Sequence, residues 1–374
     1  MAMNRVLSVL LAASALTLAA AADPLPLAIG GRVVPHVTTT DSGSWFKANT
    51  ETTSYTYQWP GVYFEAAFTG DSVDVKVNDD QNNLYLWVDG VHKLTLTRPG
   101  KTTVSVKNLG PGRHVVRLEK ASETQATTAS FEGFYVPAAE NVLPAPGYAH
   151  QIEFIGDSYT VGYGNQSRGQ TCTTDDVRDT TDTSQAWGPA VAKHFNAAYR
   201  IDAYSGRGMV RNYNGLAPGD TLPYLYKFAL FDHSVPADDN GWTPEVVIVG
   251  LGTNDFSTPL NPGEKWASRD ALHADYVRTY ADFVKSLRAK YPAAHIILMA
   301  PDNNASETAN NMKAAAALAQ SEGVGDLETV VFTGLDWMAC HYHPSLKDET
   351  LLSKLVIDRI AQLPKFATAT AAAQ

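Results

Sequence analysis

The sequence predicts two parts: a β-sandwich of the jelly-roll kind over residues 23–136, then an α/β/α layered domain on a parallel sheet over 150–366. Three observations predict this. Short alternating runs with tight turns fill the first part. A proline-rich stretch, 137–149, follows it. Beyond Gln151, apolar runs alternate with helical patterns, the grammar of strands buried on both faces.

Before these parts stand 22 residues of another kind. Arg5 supplies a positive start, "VLSVLLAASALTLAA" an apolar stretch, and "AAAD" a small-residue cleavage site. They read as a secretory signal peptide cut near Ala22, the alternative being an uncleaved anchor. The expected location is secreted or periplasmic, with no membrane span after cleavage. The expected state is a monomer.

From about Leu27 to Val136, "YFEAAFTG", "SVDVKVND", "NLYLWVDG", "TTVSVKNLG" and "HVVRLEKA" keep a period of two. Asp89-Gly90 and Gly110-Pro111-Gly112 mark turns between them. Many short strands of this kind form a sandwich or jelly roll. Pro137, Pro144 and Pro146 then oppose regular structure, so 137–149 reads as a linker.

In the second part the strand runs are "IEFIG", "RIDAYS", "EVVIVGLG", "HIILMAP" and "ETVVFTG". "DALHADYVRTYADFVKSLRAKY" sets Leu272, Val277, Tyr280, Val284 and Leu287 near one helical face. "SLKDETLLSKLVIDRIAQL" opens with Ser345 and Asp348 at capping-box spacing. Residues 367–374 read as a disordered tail.

Charge limits the partners. The formal net charge is -10 and charged residues make up 18%. Nucleic acid and anionic membrane surfaces both require a basic face, so neither is expected as a partner. The two cysteines, Cys172 and Cys340, suggest one disulfide in an exported chain, against two free buried thiols. Asn165 and Asn304 each begin an Asn-x-Ser sequon, whose glycosylation the sequence leaves open.

Ligands of open parallel sheets bind at the carboxyl ends of the strands. Ser158 follows the first strand in "IEFIGDSYTVGYG", where it either caps a helix or serves as a nucleophile facing that helix's dipole. Gly206 follows the second in "SGRGMVRN", with Gly208 as a substitute, and each also fits an ordinary turn. Asn254 follows the third in "GTND", as an Asx turn or an amide donor for a developing oxyanion. His343 precedes Pro344 in "DWMACHYHPS" and is a natural base near neutral pH. Cys340 and His341 raise a metal alternative, but no second Cys/His cluster completes a site. No metal or cofactor is expected.

Each signal is weak alone. Together Ser158, Gly206, Asn254 and His343 supply a nucleophile, a base and an oxyanion hole. "GDSYT", "GTND" and "HP" resemble the blocks of the SGNH hydrolases, whose fold is flavodoxin-like. A jelly roll ahead of such a domain, with "GDSYTVGYGN", "SGRGMVRNY" and C-x-x-H-P, resembles carbohydrate esterase family 2. The resemblance covers nearly the whole mature chain. It implies O-deacetylation of polysaccharides such as xylan or glucomannan, often at a primary 6-position.

One departure qualifies the resemblance. SGNH hydrolases commonly carry an Asp three residues before the histidine, and here that position is Cys340. Asp336 lies too far back to take its role. The expectation is a Ser158–His343 dyad with the ring held by a backbone carbonyl, that of His341 for choice. Ser158 and Gly206 N–H groups with the Asn254 amide would form the oxyanion hole. Trp337, Tyr342 and Phe256 flank the site in sequence, as sugar-stacking rings or as core. Two rival readings stay open: an acetyltransferase using the same dyad, and a non-catalytic carbohydrate-binding protein.

Overall fold

The structure, a computed structural model, describes residues 23–41, 50–125, 127–138, 141–239 and 241–367. The expected signal peptide, and the expected tail beyond residue 367, lie outside the described residues.

Two antiparallel sheets make the first part. One orders β3 (Val33–Thr40), β4 (Thr50–Tyr57), β11 (Ala129–Val136), β6 (Val73–Asp79) and β9 (Gly100–Val106), with β1 (Asp23–Pro24) also on β11. The other orders β2 (Ala28–Gly30), β5 (Tyr63–Thr69), β10 (Arg113–Lys120), β7 (Asn83–Val88) and β8 (Val91–Thr97). Alternation decides which residues enter the space between them. Val73, Val75 and Val77 of β6 face Leu84, Leu86, Val116 and Leu118 across one core. Phe64 and Phe131 stack within it, ring centres 4.2 Å apart.

The second part is a five-stranded parallel sheet ordered β13 (Ala197–Ala203), β12 (His150–Gly156), β14 (Val246–Gly250), β15 (His295–Pro301), β16 (Leu327–Phe332). Its chain order is the flavodoxin-like one, which reverses between β12 and β14. Val246 to Val249 are fully buried, as a strand covered on both faces must be. Helices α3 (Trp187–His194) and α8 (Leu346–Ile360) contribute to one core layer. Helices α6 (Arg269–Lys290) and α7 (Glu307–Ser321) contribute to the other.

Residue spacing explains the two helices the sequence marked. In α6, Leu272, Tyr276, Tyr280, Val284 and Leu287 are buried, while Val277 is partly buried at the edge of the stripe. Ser345 and Asp348 form the expected capping box of α8. Helix α7 was harder to read because its inner face is mostly alanine, which gives little hydrophobic contrast.

The two parts are locked by charge. Arg32, between β2 and β3, reaches into the second part and pairs with buried Asp202, Nε to Oδ1 2.7 Å and Nη2 to Oδ2 3.0 Å. Its Nη1 donates to the carbonyl oxygens of Tyr226 and Phe228. Removing one partner of such a buried pair costs about 3–5 kcal/mol, because the other charge is left unpaired. Burial, reinforced by Asp202, raises the pKa of the adjacent Glu153 to about 7.

Candidate active site

Three strand ends meet at the reversal of the sheet. Strand β12 ends at Gly156, where any Cβ would fall 2.0 Å from Thr160 Oγ1. Asp157 then caps a single helical turn, α1 (Ser158–Val161), and accepts the Tyr159 N–H. The turn closes at Gly162 with φ 78°. The expectation of a helix dipole at Ser158 is corrected here, since a four-residue turn sums few peptide dipoles.

Ser158 Oγ lies 2.8 Å from His343 Nε2. On the other side of the ring, Nδ1 lies 2.9 Å from the Cys340 carbonyl oxygen and 3.2 Å from that of His341. These acceptors fix the tautomer, with the proton on Nδ1 and the lone pair of Nε2 toward the serine. Asp336 is elsewhere: it accepts from Ser345 Oγ at 2.8 Å and from the Met338 N–H at 3.1 Å.

The loop carrying His343 is tightly specified. His341 and Tyr342 both have left-handed backbones, with φ 53° and 63°. Such conformations cost energy in non-glycine residues and persist only where surroundings impose them. Here the Cys172–Cys340 disulfide stands directly before them in the chain, with Cα atoms 5.5 Å apart. The His341 N–H donates to Gln170 O at 2.7 Å, and His341 Nε2 lies 3.0 Å from Cys172 O. Gly164 must be glycine, because a Cβ there would fall 2.5 Å from Cys340 Cβ. Buried Asp348 accepts the N–H groups of Asp336, Trp337 and Ser345, holding both ends of the loop. The metal alternative at Cys340 and His341 loses its thiolate to the disulfide.

Two N–H groups near the serine are uncommitted. Among the described residues, no acceptor takes the Ser158 or Gly206 N–H. Gly206 has φ 83° and open space where a Cβ would stand. Gly208 is a structural glycine instead: its N–H donates to Asn212 Oδ1 at 3.1 Å, and a Cβ would strike Arg211 O at 2.1 Å. Asn254 is buried at the same corner, and its Nδ2 donates to Arg207 O at 2.8 Å and Asp157 Oδ2 at 3.2 Å.

The next residue, Asp255, accepts three consecutive N–H groups, from Met209, Val210 and Arg211, at 2.8–2.9 Å. This ties the segment after Gly206 to the end of β14. Burial raises the Asp255 pKa to about 6, against the pull of those bonds. Burial likewise raises Asp157 to about 7, with the charge of Asp255 adding to it. Burial acts oppositely on a base: it lowers His343 to about 4, while the two carbonyls pull it upward.

The aromatic expectations divide. Tyr342 is 68% exposed beside His343. Trp337 is half-buried and touches the site through Tyr159, ring centres 5.3 Å apart. Phe256 is corrected to a core residue: it is 2% exposed and packs on Tyr276 and His273. Sequence reasoning missed Tyr159 and Tyr163, which flank the His343 ring at 5.3 and 4.3 Å. Their only signal was position, one and five residues after the serine. It also missed Glu123, from the β-sandwich, whose Oε1 accepts the Ser205 N–H at 2.9 Å next to Gly206. The sequon at Asn165 is closed to modification, for that side chain is buried and bonded to Asp182.

A parallel sheet with a serine and a histidine paired over its reversal defines a serine hydrolase-like site. Residues 152–332 match the model of the GDSL-like lipases and acylhydrolases, and residues 48–146 match that of the carbohydrate esterase 2 N-terminal domain. An acetylxylan esterase / glucomannan deacetylase of Cellvibrio japonicus is 45% identical over 94% of this chain and 95% of its own. The chain belongs to carbohydrate esterase family 2. A solved carbohydrate esterase, whose active site is described as having divergent catalytic and non-catalytic binding functions, is 43% identical. It aligns over 91% of this chain and 99% of its own with a TM-score of 0.84. A family two carbohydrate esterase from Clostridium thermocellum, solved with cellohexaose, is 25% identical over 90% of this chain and 98% of its own, TM-score 0.73.

Proposed function

We propose that the chain is a secreted carbohydrate O-acetyl esterase that deacetylates polysaccharides such as xylan or glucomannan. The observation that carries this is the alignment of Ser158 Oγ, His343 Nε2 and, behind Nδ1, the carbonyl oxygens of Cys340 and His341. Family membership and the activity of the C. japonicus relative support the substrate class. The disulfide and the leader-like N-terminus support export to an oxidising compartment.

His343 Nε2 takes the Ser158 proton as Oγ bonds to the acetyl carbonyl carbon. The carbonyl oxygen becomes an oxyanion, received by the N–H groups of Ser158 and Gly206. Asn254 joins them by exchanging its longer bond, the one to Asp157. The ester C–O bond breaks, and His343 returns its proton to the departing sugar oxygen. Water then adds to the acetyl-serine with His343 as base, releasing acetate. Asp336 has no part in these steps; the two carbonyls steady the imidazolium in place of a carboxylate.

Acetate release from acetylated xylan and glucomannan tests this, with Ser158→Ala as control. Product analysis with an added sugar acceptor separates hydrolysis from transfer. Acetylated acceptor forming faster than acetate would make the chain an acetyltransferase. Polysaccharide binding with no acyl turnover would make it a non-catalytic binder.

A further inference from the structure

One cavity lies away from Ser158. It encloses about 720 Å³ between the outer face of the β2–β8 sheet and helix α3. Pockets that hold small ligands span roughly 300–1,000 Å³. Strand β13 separates it from the active site: Ala197, at the start of that strand, lines the cavity, and Ser205 and Gly206 follow its far end. Seven strand residues span roughly 20 Å.

Register composes its sheet wall. Arg117 lies opposite both Glu65 and Trp87, and Trp87 opposite His92. Glu119 lies opposite Tyr85. Leu84, Leu86 and Val88 point into the sandwich core, so Tyr85 and Trp87 point outward. An outward sheet face normally carries polar residues. This one carries aromatic rings, sheltered by Gln185, Pro189 and Lys193 from the other part.

Three features point to a ligand and to its class. First, Trp87 lines the cavity and is only partly buried, so part of its ring stays open to a bound molecule. Second, the rings of Tyr85, Trp87 and His92 stand at 66–85° to one another, 5.0–6.4 Å apart. That makes a notched surface, which suits a puckered pyranose with apolar C–H faces better than a flat aromatic ligand. Third, Arg117 is already held by Glu119 and Tyr199, each at 2.8 Å, and lies over the Tyr63 ring. With Glu65 and Glu119 alongside, an anionic ligand is disfavoured, while hydroxyl groups find acceptors.

We propose that this cavity is a second carbohydrate-binding site, which holds a neutral stretch of polysaccharide backbone while an acetyl group elsewhere on the polymer occupies the Ser158 site. The role of the bound polymer rests on the esterase reading; the binding itself does not.

The test uses the full chain, native affinity gels containing soluble glucomannan or xylan, and kinetics on acetylated polymer and on a simple acetyl ester. Trp87→Ala should weaken gel retardation about tenfold and raise KM on the polymer comparably, with kcat and simple-ester turnover unchanged. His92→Ala, an exposed side chain, should act in the same direction more weakly. Unchanged retardation and KM in Trp87→Ala would overturn the site. If Trp87→Ala loses simple-ester turnover through misfolding, His92→Ala decides, and no effect there overturns it. Retardation that depends on Trp87 in a wild-type chain releasing no acetate would keep this site and remove the esterase reading.

Discussion

His343 turns Nδ1 to the carbonyl oxygen of Cys340, 2.9 Å away, and Cys340 is also the residue whose sulfur is joined to Cys172. One residue therefore orients the ring through its backbone and ties the loop through its side chain. The loop segment gains rigidity from covalent and hydrogen-bonded contacts at the position where a neighbouring carboxylate would otherwise orient the base.

Ser158→Ala and His343→Ala should each lower kcat on a simple acetyl ester by on the order of 10⁴-fold or more, and the double variant by no more than either. Asp336→Ala should cost at most a few-fold, because that carboxylate serves Ser345 and Met338. A loss with Asp336→Ala equal to that of His343→Ala, in folded protein, would make Asp336 the orienting group and end the dyad reading.

How much of this was legible beforehand follows from which forces are local. Strands were readable because burial of one face writes a period of two into "SVDVKVND", and burial of both writes the continuous apolar run of "EVVIVGLG". Ser158 was readable because it follows a strand run, and His343 because it precedes Pro344 and a capped helix. The orienting carbonyls were only partly so: His341 was expected, while Cys340, the nearer, depends on two left-handed residues that leave no composition signal. Phe256 misled because proximity to Asn254 in sequence says nothing about which way a one-turn helix points its ring. Glu123 was invisible, since it meets Ser205, 82 positions further along the chain, only through the folded structure.

The pH profile should place the base. In the proposed mechanism neutral imidazole is the competent form, and burial lowers the pKa of His343 to about 4. With a neutral ester, kcat/KM should rise through about pH 4 and lie flat above pH 6, rather than rise near the ordinary histidine value of about 6.5. The same shift ties stability to pH. The folded pKa lies below the unfolded one, so the His343 contribution is complete above about 6.5 and is lost as pH falls toward 4. Wild type should therefore lose stability over that window faster than His343→Ala. An activity limb centred near 6.5 would show the ring to be as solvated as a free histidine.

Reduction of Cys172–Cys340 separates the two consequences of that bond. The bridge closes a span of 168 residues, and the chain-entropy model gives it about 5 kcal/mol. Mild reduction should lower kcat at temperatures well below the unfolding transition, because His341 and Tyr342 relax from their left-handed conformations and release the carbonyls behind Nδ1. Mass spectrometry of non-reduced protein should find the two cysteine peptides linked. Unchanged kcat after verified reduction would leave the bridge a stabilising role alone.

Glu123 gives the β-sandwich a stake in the chemistry. It sits on a segment pinned from within the β-sandwich: Asn82 Oδ1 accepts from Ser122 Oγ at 3.3 Å and Thr124 Oγ1 at 3.1 Å, while Asp79 accepts from Asn82. From this anchor its carboxylate takes the N–H of Ser205, one residue before the proposed oxyanion donor Gly206. A hydrogen bond to a charged acceptor contributes about 1.5–3 kcal/mol. If that bond holds the Gly206 N–H in place, Glu123→Ala should lower kcat by roughly ten- to a hundredfold. Glu123→Gln, which keeps a carbonyl acceptor at the same reach, should recover most of it. A purely structural role would instead lower the unfolding midpoint in both variants and leave kcat per folded molecule unchanged. A Glu123→Ala enzyme with wild-type kcat would show that the second part positions Gly206 unaided, by the clasp of Asp255 on Met209, Val210 and Arg211.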